Sequence, residues 1–163
     1  VEGVKAVILG EGGERYHLEQ LATSLGITDR IELRGWVAQP QDYLGEFDAI
    51  VQPSRSEGFP LAIVEAMLAA RPVIATPVGS VAEAVIDGKT GILVEKNHVE
   101  ELAAALRRLR DDPKLRSFLG QQGRALAVAQ FTVEQMTASY EHLWRQVRAR
   151  PPAPRWWVPR PKD

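Results

Sequence analysis

The sequence predicts an α/β protein: a parallel, Rossmann-like sheet of about five strands, flanked by helices on both faces. Three observations predict it. Short apolar runs alternate along the chain with longer stretches of helical period, the pattern of parallel strands joined by helical crossovers. Each run stops at Gly, Pro, Ser or Thr punctuation. The chain is also long enough to bury a core, with 163 residues, 45% hydrophobic and 25% charged.

The elements follow in order. Val4–Leu9 is an apolar run closed by Gly10-Glu11-Gly12-Gly13, which reads as a buried strand and a tight turn. Glu14–Gly26 has Leu18, Leu21, Ala22 and Leu25 at helical spacing, with Gly26 as its stop. Asp29–Leu33 is a second strand running into Arg34-Gly35-Trp36-Val37, and Pro40–Glu46 a brief helix or turn. Asp48–Gln52 is a third strand, followed by a helix over Pro60–Ala70. Pro72–Ala75 is a fourth strand, Val81–Ile86 a short helix, Asp87–Gly91 a turn and Ile92–Val94 a fifth strand.

Three helices close the chain. Val99–Arg110 carries Leu102, Ala105, Leu106 and Leu109 on one face. Pro113–Gln130 opens on a proline, which a first turn tolerates. Thr132–Arg150 opens on a Thr132…Gln135 capping box and bears a stripe of Met136, Tyr140, Leu143 and Val147. We therefore read residues 1–150 as one domain. Residues 151–163, with five prolines around Trp156-Trp157, form an extended tail.

Composition excludes several functions. Net charge is −1, from 20 basic and 21 acidic residues, which leaves no electrostatic footprint for nucleic acid. Without cysteine there are no disulfides or thiolate metal sites. The apolar runs fall far short of a membrane span. His17, His98 and His142 are scattered without metal-ligand spacing and read as surface or cap residues. Trp36 and Trp144 read as packing residues. A dinucleotide fingerprint is rejected, because G-x-G-x-x-G from Gly10 needs glycine where Arg15 stands.

The chemistry concentrates in Gln52–Ala70. Helix Leu61–Ala70 carries one charge, Glu65, amid Leu, Ala, Ile, Val and Met. A helix apolar all round is buried, and a buried carboxylate needs a partner. That partner is either a ligand or an arginine such as Arg55 or Arg71. Ligands of open α/β sheets gather beyond the carboxyl ends of the strands, where this chain places Gly10–Gly13, Gly35–Val37, Pro53–Pro60 and Thr76–Ser80. The N–H groups of Gly58, Phe59, Leu61 and Ala62, at the positive end of the helix dipole, suit a phosphate. The alternative is that these are ordinary strand-to-helix turns, with Glu57 a solvated turn residue.

The ordered motifs S-R-S-E-G-F-P-L-x-x-x-E-A-M, R-P-V-I-A-T-P-V-G-S-x-x-E and D-G-K-T-G-I-L-V resemble the C-terminal domain of family 4 retaining glycosyltransferases, of the GT-B fold, over about Val4–Arg148. The E-x7-E spacing holds from Glu57 to Glu65. The resemblance implies a domain that binds a nucleotide sugar (UDP-, GDP- or ADP-linked) in polysaccharide or glycoconjugate synthesis. It implies Glu57 as the catalytic carboxylate on the donor-sugar hydroxyls, Glu65 on the ribose diol and Gly58, Phe59, Pro60 and Leu61 around the sugar and diphosphate. Gly35, Trp36 and Val37 would read the base through main-chain atoms, with Gly10 and Ser54 completing the donor site. Glu83 matches a family glutamate and is assigned a structural role.

No metal is expected, since protein cations can neutralise the diphosphate and no Asp-x-Asp is present; no cofactor beyond the nucleotide sugar is implied. Other expectations concern what lies beyond this sequence. The family's Arg/Lys pair, its first strand–helix unit and its acceptor domain, which engages a glycan or lipid, would precede Val1. The chain is then a donor-binding fragment, inactive alone. In the strand order 3-2-1-4-5-6 that first strand is central, so Val4–Leu9 either pairs with Ala49–Gln52 directly or leaves a gap. Exposed edges and an uncovered stripe on the last helix would favour self-association. The resemblance implies a cytoplasmic location, peripheral at the membrane's inner face. Trp156-Trp157 with Arg155 and Arg160 could touch that surface, against the plainer reading of an unstructured tail. The competing functions are a nucleotide-binding or scaffold module without catalysis, and another GT-B enzyme such as an epimerase or phosphorylase.

Overall fold

The structure, a computed structural model, describes residues 1–149. The Pro/Trp-rich tail expected at 151–163 lies outside them. The elements run β1 (Ala6–Leu9), α1 (Arg15–Ser24), β2 (Ile31–Gly35), β3 (Ile50–Gln52), α2 (Leu61–Leu68), β4 (Val73–Ala75), α3 (Val81–Ala84), β5 (Gly91–Leu93), α4 (Val99–Asp111), α5 (Pro113–Gln130) and α6 (Val133–Ala149). Thr28–Arg30 and Pro40–Glu46 are 3-10 turns. The first moves β2 later than expected: Asp29 and Arg30 belong to the turn, and the strand runs on through Gly35.

The strands form two parallel sheets rather than one, β1–β2 and β3–β4–β5. Val73 pairs with Ile50 on one side and Gly91 on the other, so β4 is the centre of the larger sheet. Direct pairing of Val4–Leu9 with Ala49–Gln52 is not made. Of the two arrangements expected, the structure adopts the open one, with β1 and β3 each paired on one side only among the described residues.

β4 shows why the larger sheet needs helices on both faces. Its three residues are all fully buried, and the pleat sends them to opposite sides. Val73 and Ala75 pack with Ile63, Ala66 and Met67 of α2, with Val81, Ala84 and Val85, and with Ala127 of α5. Ile74 packs with Ile92, Val94, Ala105, Leu109 and Leu119 beneath α4 and the first half of α5. Each Val, Ile, Leu or Met among them, fully buried, contributes roughly 1.5–3 kcal/mol. α5 reaches α2 closely because Gly120 has no side chain: a Cβ there would lie 2.1 Å from the Ala70 carbonyl oxygen. Asp112 caps α5, accepting from the Leu115 N–H at 2.9 Å, with Pro113 in the first turn.

Four further expectations are corrected. β1 is not a buried strand: Ala6 and Ile8 are exposed and Val7 and Leu9 only half-buried, because no helix covers both faces of the two-stranded sheet. The apolar face of α1 does not enter a core: Ala22 is buried, while Leu18, Leu21 and Leu25 are exposed. Its sheet has only two strands, too small to cover the helix. Trp36 (75% exposed) and Trp144 (68%) are not packing residues. α2 is not buried all round either. Ile63, Val64, Ala66 and Met67 face inward, whereas Leu61, Ala62 and Leu68 are exposed and Glu65 is half-buried among them. An apolar helix thus keeps one open side. The α6 stripe is uncovered as expected, with Met136, Tyr140, Leu143 and Val147 all exposed. Among the described residues no helix is long and apolar enough to cross a membrane.

Candidate functional site

The turn after β3 is built around Glu57. Its Oε1 accepts from Ser54 Oγ at 2.6 Å and from Gln52 Nε2 at 2.8 Å, and the same Gln52 amide reaches Ser54 Oγ at 3.0 Å. Gln52 is the polar last residue of an otherwise apolar strand, which aims its amide into the turn. The hydroxyl of Ser54 and then the amide of Gln52 hold the Glu57 carboxyl below the ordinary glutamate range, against a smaller opposing effect of burial. Glu57 is therefore a fixed, ionised carboxylate and not a free solvated turn residue. One of its oxygens is engaged by the turn.

The loop after β4 braces this turn from the side. The buried Thr76 hydroxyl donates to the Ser54 carbonyl, and Ser80 N–H donates to the Gly58 carbonyl at 3.0 Å. Between them Gly79 has φ +56°, and a Cβ on it would lie 2.1 Å from the Glu57 carbonyl oxygen. Only glycine permits that approach. On the other side the Phe59 ring packs on Phe131, with centroids 5.3 Å apart and planes at 50°.

α2 then starts without a side-chain cap. Its first satisfied amide is that of Ile63, which donates to the Pro60 carbonyl at 3.1 Å. Among the described residues the N–H groups of Gly58, Phe59, Leu61 and Ala62 meet no acceptor. These donors sit at the positive end of the helix dipole, an arrangement suited to an anion. One turn into the helix, Glu65 stands on the open side between Leu61 and Leu68. It makes no ion pair with Arg55 or Arg71; the Arg71 guanidinium instead donates Nη1–H to the Phe47 carbonyl at 3.0 Å.

A second cluster closes the smaller sheet. Gly10 N–H donates to the Gly35 carbonyl at 2.7 Å, joining the ends of β1 and β2. That amide is thereby committed, so Gly10 offers a ligand close backbone approach but not its N–H. Gly35 is buried with φ +78°, and Val37 is half-buried beside the exposed Trp36. Arg15 is a strut, donating to the Leu33 carbonyl at 3.0 Å and pairing with Glu11 and Glu19. Arg34 is spoken for as well, bonded to Glu32 and lying 5.0 Å over the Tyr43 ring. Of the histidines, His98 caps α4, accepting from Glu101 N–H, and His17 and His142 are exposed. Glu83 is also exposed. Among the described residues no three His, Cys, Asp or Glu side chains are grouped to hold a metal.

The sequence profile described as Glycosyl transferases group 1 matches residues 1–126. The chain belongs to this family. LpsE of Rhizobium meliloti, a lipopolysaccharide core biosynthesis glycosyltransferase, is 32% identical over 141 residues, covering 86% of this chain and 42% of LpsE. Anabaena HepE in complex with UDP superposes with a TM-score of 0.84 at 26% identity, covering 90% of this chain and 42% of HepE. The C-terminal domain of the group 1 protein LpcC from Francisella tularensis gives 0.73 at 31% identity, over 79% of this chain and 70% of that one. This is the fold of a GT-B C-terminal domain. The chain spans under half the length of LpsE, 42%, and 30% of the D-inositol 3-phosphate glycosyltransferase of Paenarthrobacter aurescens, to which it is 35% identical over 122 residues.

Four supporting residues escaped sequence reasoning: Gln52, Thr76, Gly79 and Phe131. Gln52 had a local signal, a polar residue ending an apolar strand five positions before Glu57. Thr76 and Gly79 lie in a recognised loop, but their contact with the turn is long-range. Phe131 looked like an ordinary helix end.

Proposed function

We propose that this chain is the donor-binding part of a retaining glycosyltransferase that takes a hexose from a nucleoside diphosphate sugar. The observation that carries the proposal is the α2 N-terminus: four unpartnered amides flanked by an anchored carboxylate, Glu57, and an unpaired one, Glu65. The diphosphate lies over the amides of Gly58, Phe59, Leu61 and Ala62. Glu65 accepts both ribose hydroxyls, one per oxygen, and its half-buried place beside Leu61 lets the ribose cover the open side of α2. Glu57 accepts from the sugar hydroxyls with the oxygen that Ser54 and Gln52 leave free. Gly35, Trp36 and Val37 meet the base. The bond from the anomeric carbon to phosphate oxygen breaks as the acceptor oxygen adds on the same face, and the acceptor proton passes to the leaving phosphate. Fixed donors aimed at that phosphate supply the largest stabilisation of the transition state. The cationic and acceptor-binding groups that complete transfer come from outside these residues, so the chain binds donor without turning it over.

Calorimetric titration of UDP, GDP and ADP into the chain, with Glu65→Ala beside it, tests the proposal. One nucleotide is expected to saturate, with Glu65→Ala binding about 10- to 100-fold more weakly for the loss of two charge-assisted hydrogen bonds. No saturable binding at millimolar nucleotide would leave only a scaffold.

A further inference from the structure

Phe131 packs against the turn at Phe59. Phe59 belongs to the turn, yet its ring leaves the sheet's own core and lies against Phe131, 5.3 Å between centroids. Phe131 is itself held from both directions along the chain. Its N–H donates to the Ala127 carbonyl at 2.8 Å, ending α5. The next residue, Thr132, starts α6, accepting from Gln135 N–H on its hydroxyl at 3.3 Å and from Met136 N–H on its carbonyl at 3.0 Å. Half-buried, Phe131 also packs on the cluster of Ile63, Met67 and Ala127.

The turn therefore has two braces. Ser80 and Gly79 hold the Glu57–Gly58 carbonyls from the β4 side. At the next residue, the Phe59–Phe131 contact ties the turn to the described α5–α6 junction. Fixing the Phe59 ring fixes its Cα, and with it the direction of the Phe59 and Leu61 amides, which hydrogen bonds within the chain do not restrain.

We infer that Phe131 is a positioning residue for the donor turn, aligning the amides of Gly58, Phe59 and Leu61 and tying their alignment to the α5–α6 junction. The ligand side of this inference rests on the function proposed above; the positioning itself does not. The worth of one such aromatic pair, lost in full from the bound state, corresponds to about 2- to 12-fold in affinity.

The test compares Phe131→Ala, Phe131→Tyr and, as a core control remote from the turn, Leu109→Ala. Amide chemical shifts of Gly58, Phe59 and Leu61 are read by NMR in the ligand-free chain, and UDP, GDP and ADP affinities by calorimetry. Phe131→Ala should shift these amides and weaken the preferred nucleotide about 2- to 12-fold. Phe131→Tyr, which keeps the ring, should restore both, while Leu109→Ala should lower Tm without moving the turn amides. Phe131→Leu carries the same comparison if Phe131→Ala does not fold. Turn amides unmoved in the ringless variant, or moved equally in Leu109→Ala, overturn the inference. Absence of nucleotide binding in the unmodified chain overturns the proposed function instead, and the amide readout still decides the role of Phe131.

Discussion

Replacing Gly79 by alanine tests whether the donor turn is shaped by the loop beside it. At φ +56° a residue with a Cβ costs about 1–2 kcal/mol relative to glycine. The added carbon would also lie 2.1 Å from the Glu57 carbonyl oxygen and 2.8 Å from that of Gly58. Heavy atoms rest near 3.5 Å, so the loop and the turn must part by more than about 1 Å. Both sides of the overlap are backbone, and no rotamer relieves it. Overpacking of this kind costs a further 1–3 kcal/mol or so, giving about 2–5 kcal/mol in all, or a fall in Tm of roughly 5–15 °C for a chain of this size. Parting them also stretches the hydrogen bond from Ser80 N–H to Gly58, so nucleotide affinity should drop at least about 10-fold, as displacements near 1 Å do at such sites. Gly120→Ala is the control: it creates the same 2.1 Å overlap, on Ala70 at the opposite end of α2. Thermal unfolding and calorimetric nucleotide titration read the two effects. A Gly79→Ala chain with unchanged Tm would refute the overlap. One that loses no more affinity than Gly120→Ala would refute its link to the site.

The Glu57 anchor predicts a pH dependence. Because its folded-state carboxyl is held below the ordinary glutamate value, first by Ser54 and then by Gln52, its contribution to stability is present above that value and lost as pH falls through the folded one. Ser54→Ala should move the Glu57 titration, followed by carboxyl NMR, back up toward an ordinary glutamate; an unchanged midpoint would mean the hydrogen bonds do not set it. Thr90, in the D-G-K-T-G motif, has a structural duty: its buried hydroxyl accepts from Ile86 N–H at 2.8 Å and donates to the Ala84 carbonyl at 2.9 Å. Thr90→Val should cost about 2–3 kcal/mol in denaturant unfolding, while Thr90→Ser keeps those bonds and loses less. Equal losses from the two variants would assign the effect to packing rather than hydrogen bonding.

The legible parts of the fold were those governed by neighbours in sequence. The period of Leu102, Ala105, Leu106 and Leu109 placed α4, and Pro113 placed the start of α5, because periodicity and first-turn preferences act within a turn or two. Glu57 came from the E-x7-E spacing of the resemblance, while its anchoring by Gln52 and Ser54, within five residues of it, was not read from the sequence. α1 misled for the converse reason. Leu18, Leu21 and Leu25 have the right spacing for a core face, but spacing does not say whether a partner surface exists, and a two-stranded sheet supplies too little of one. Trp36 and Trp144 were misread likewise, since an aromatic residue carries no local sign of what covers it.

By itself the sequence determined the α/β class, the order of elements and the pair of glutamates flanking one helix start, all of which follow from hydrophobic period, turn chemistry and an ordered set of motifs. Only the tertiary structure decided how the strands divide into two sheets, which side of α2 stays open around Glu65, and which amides are left for a ligand. Strand pairing and burial depend on segments far apart in the chain, and a hydrogen bond such as Gly10 to Gly35 removes a donor that the glycine pattern alone had offered. Thr76, Gly79 and Phe131, each remote in sequence, converge on one turn, beside which four amides meet no acceptor among the described residues.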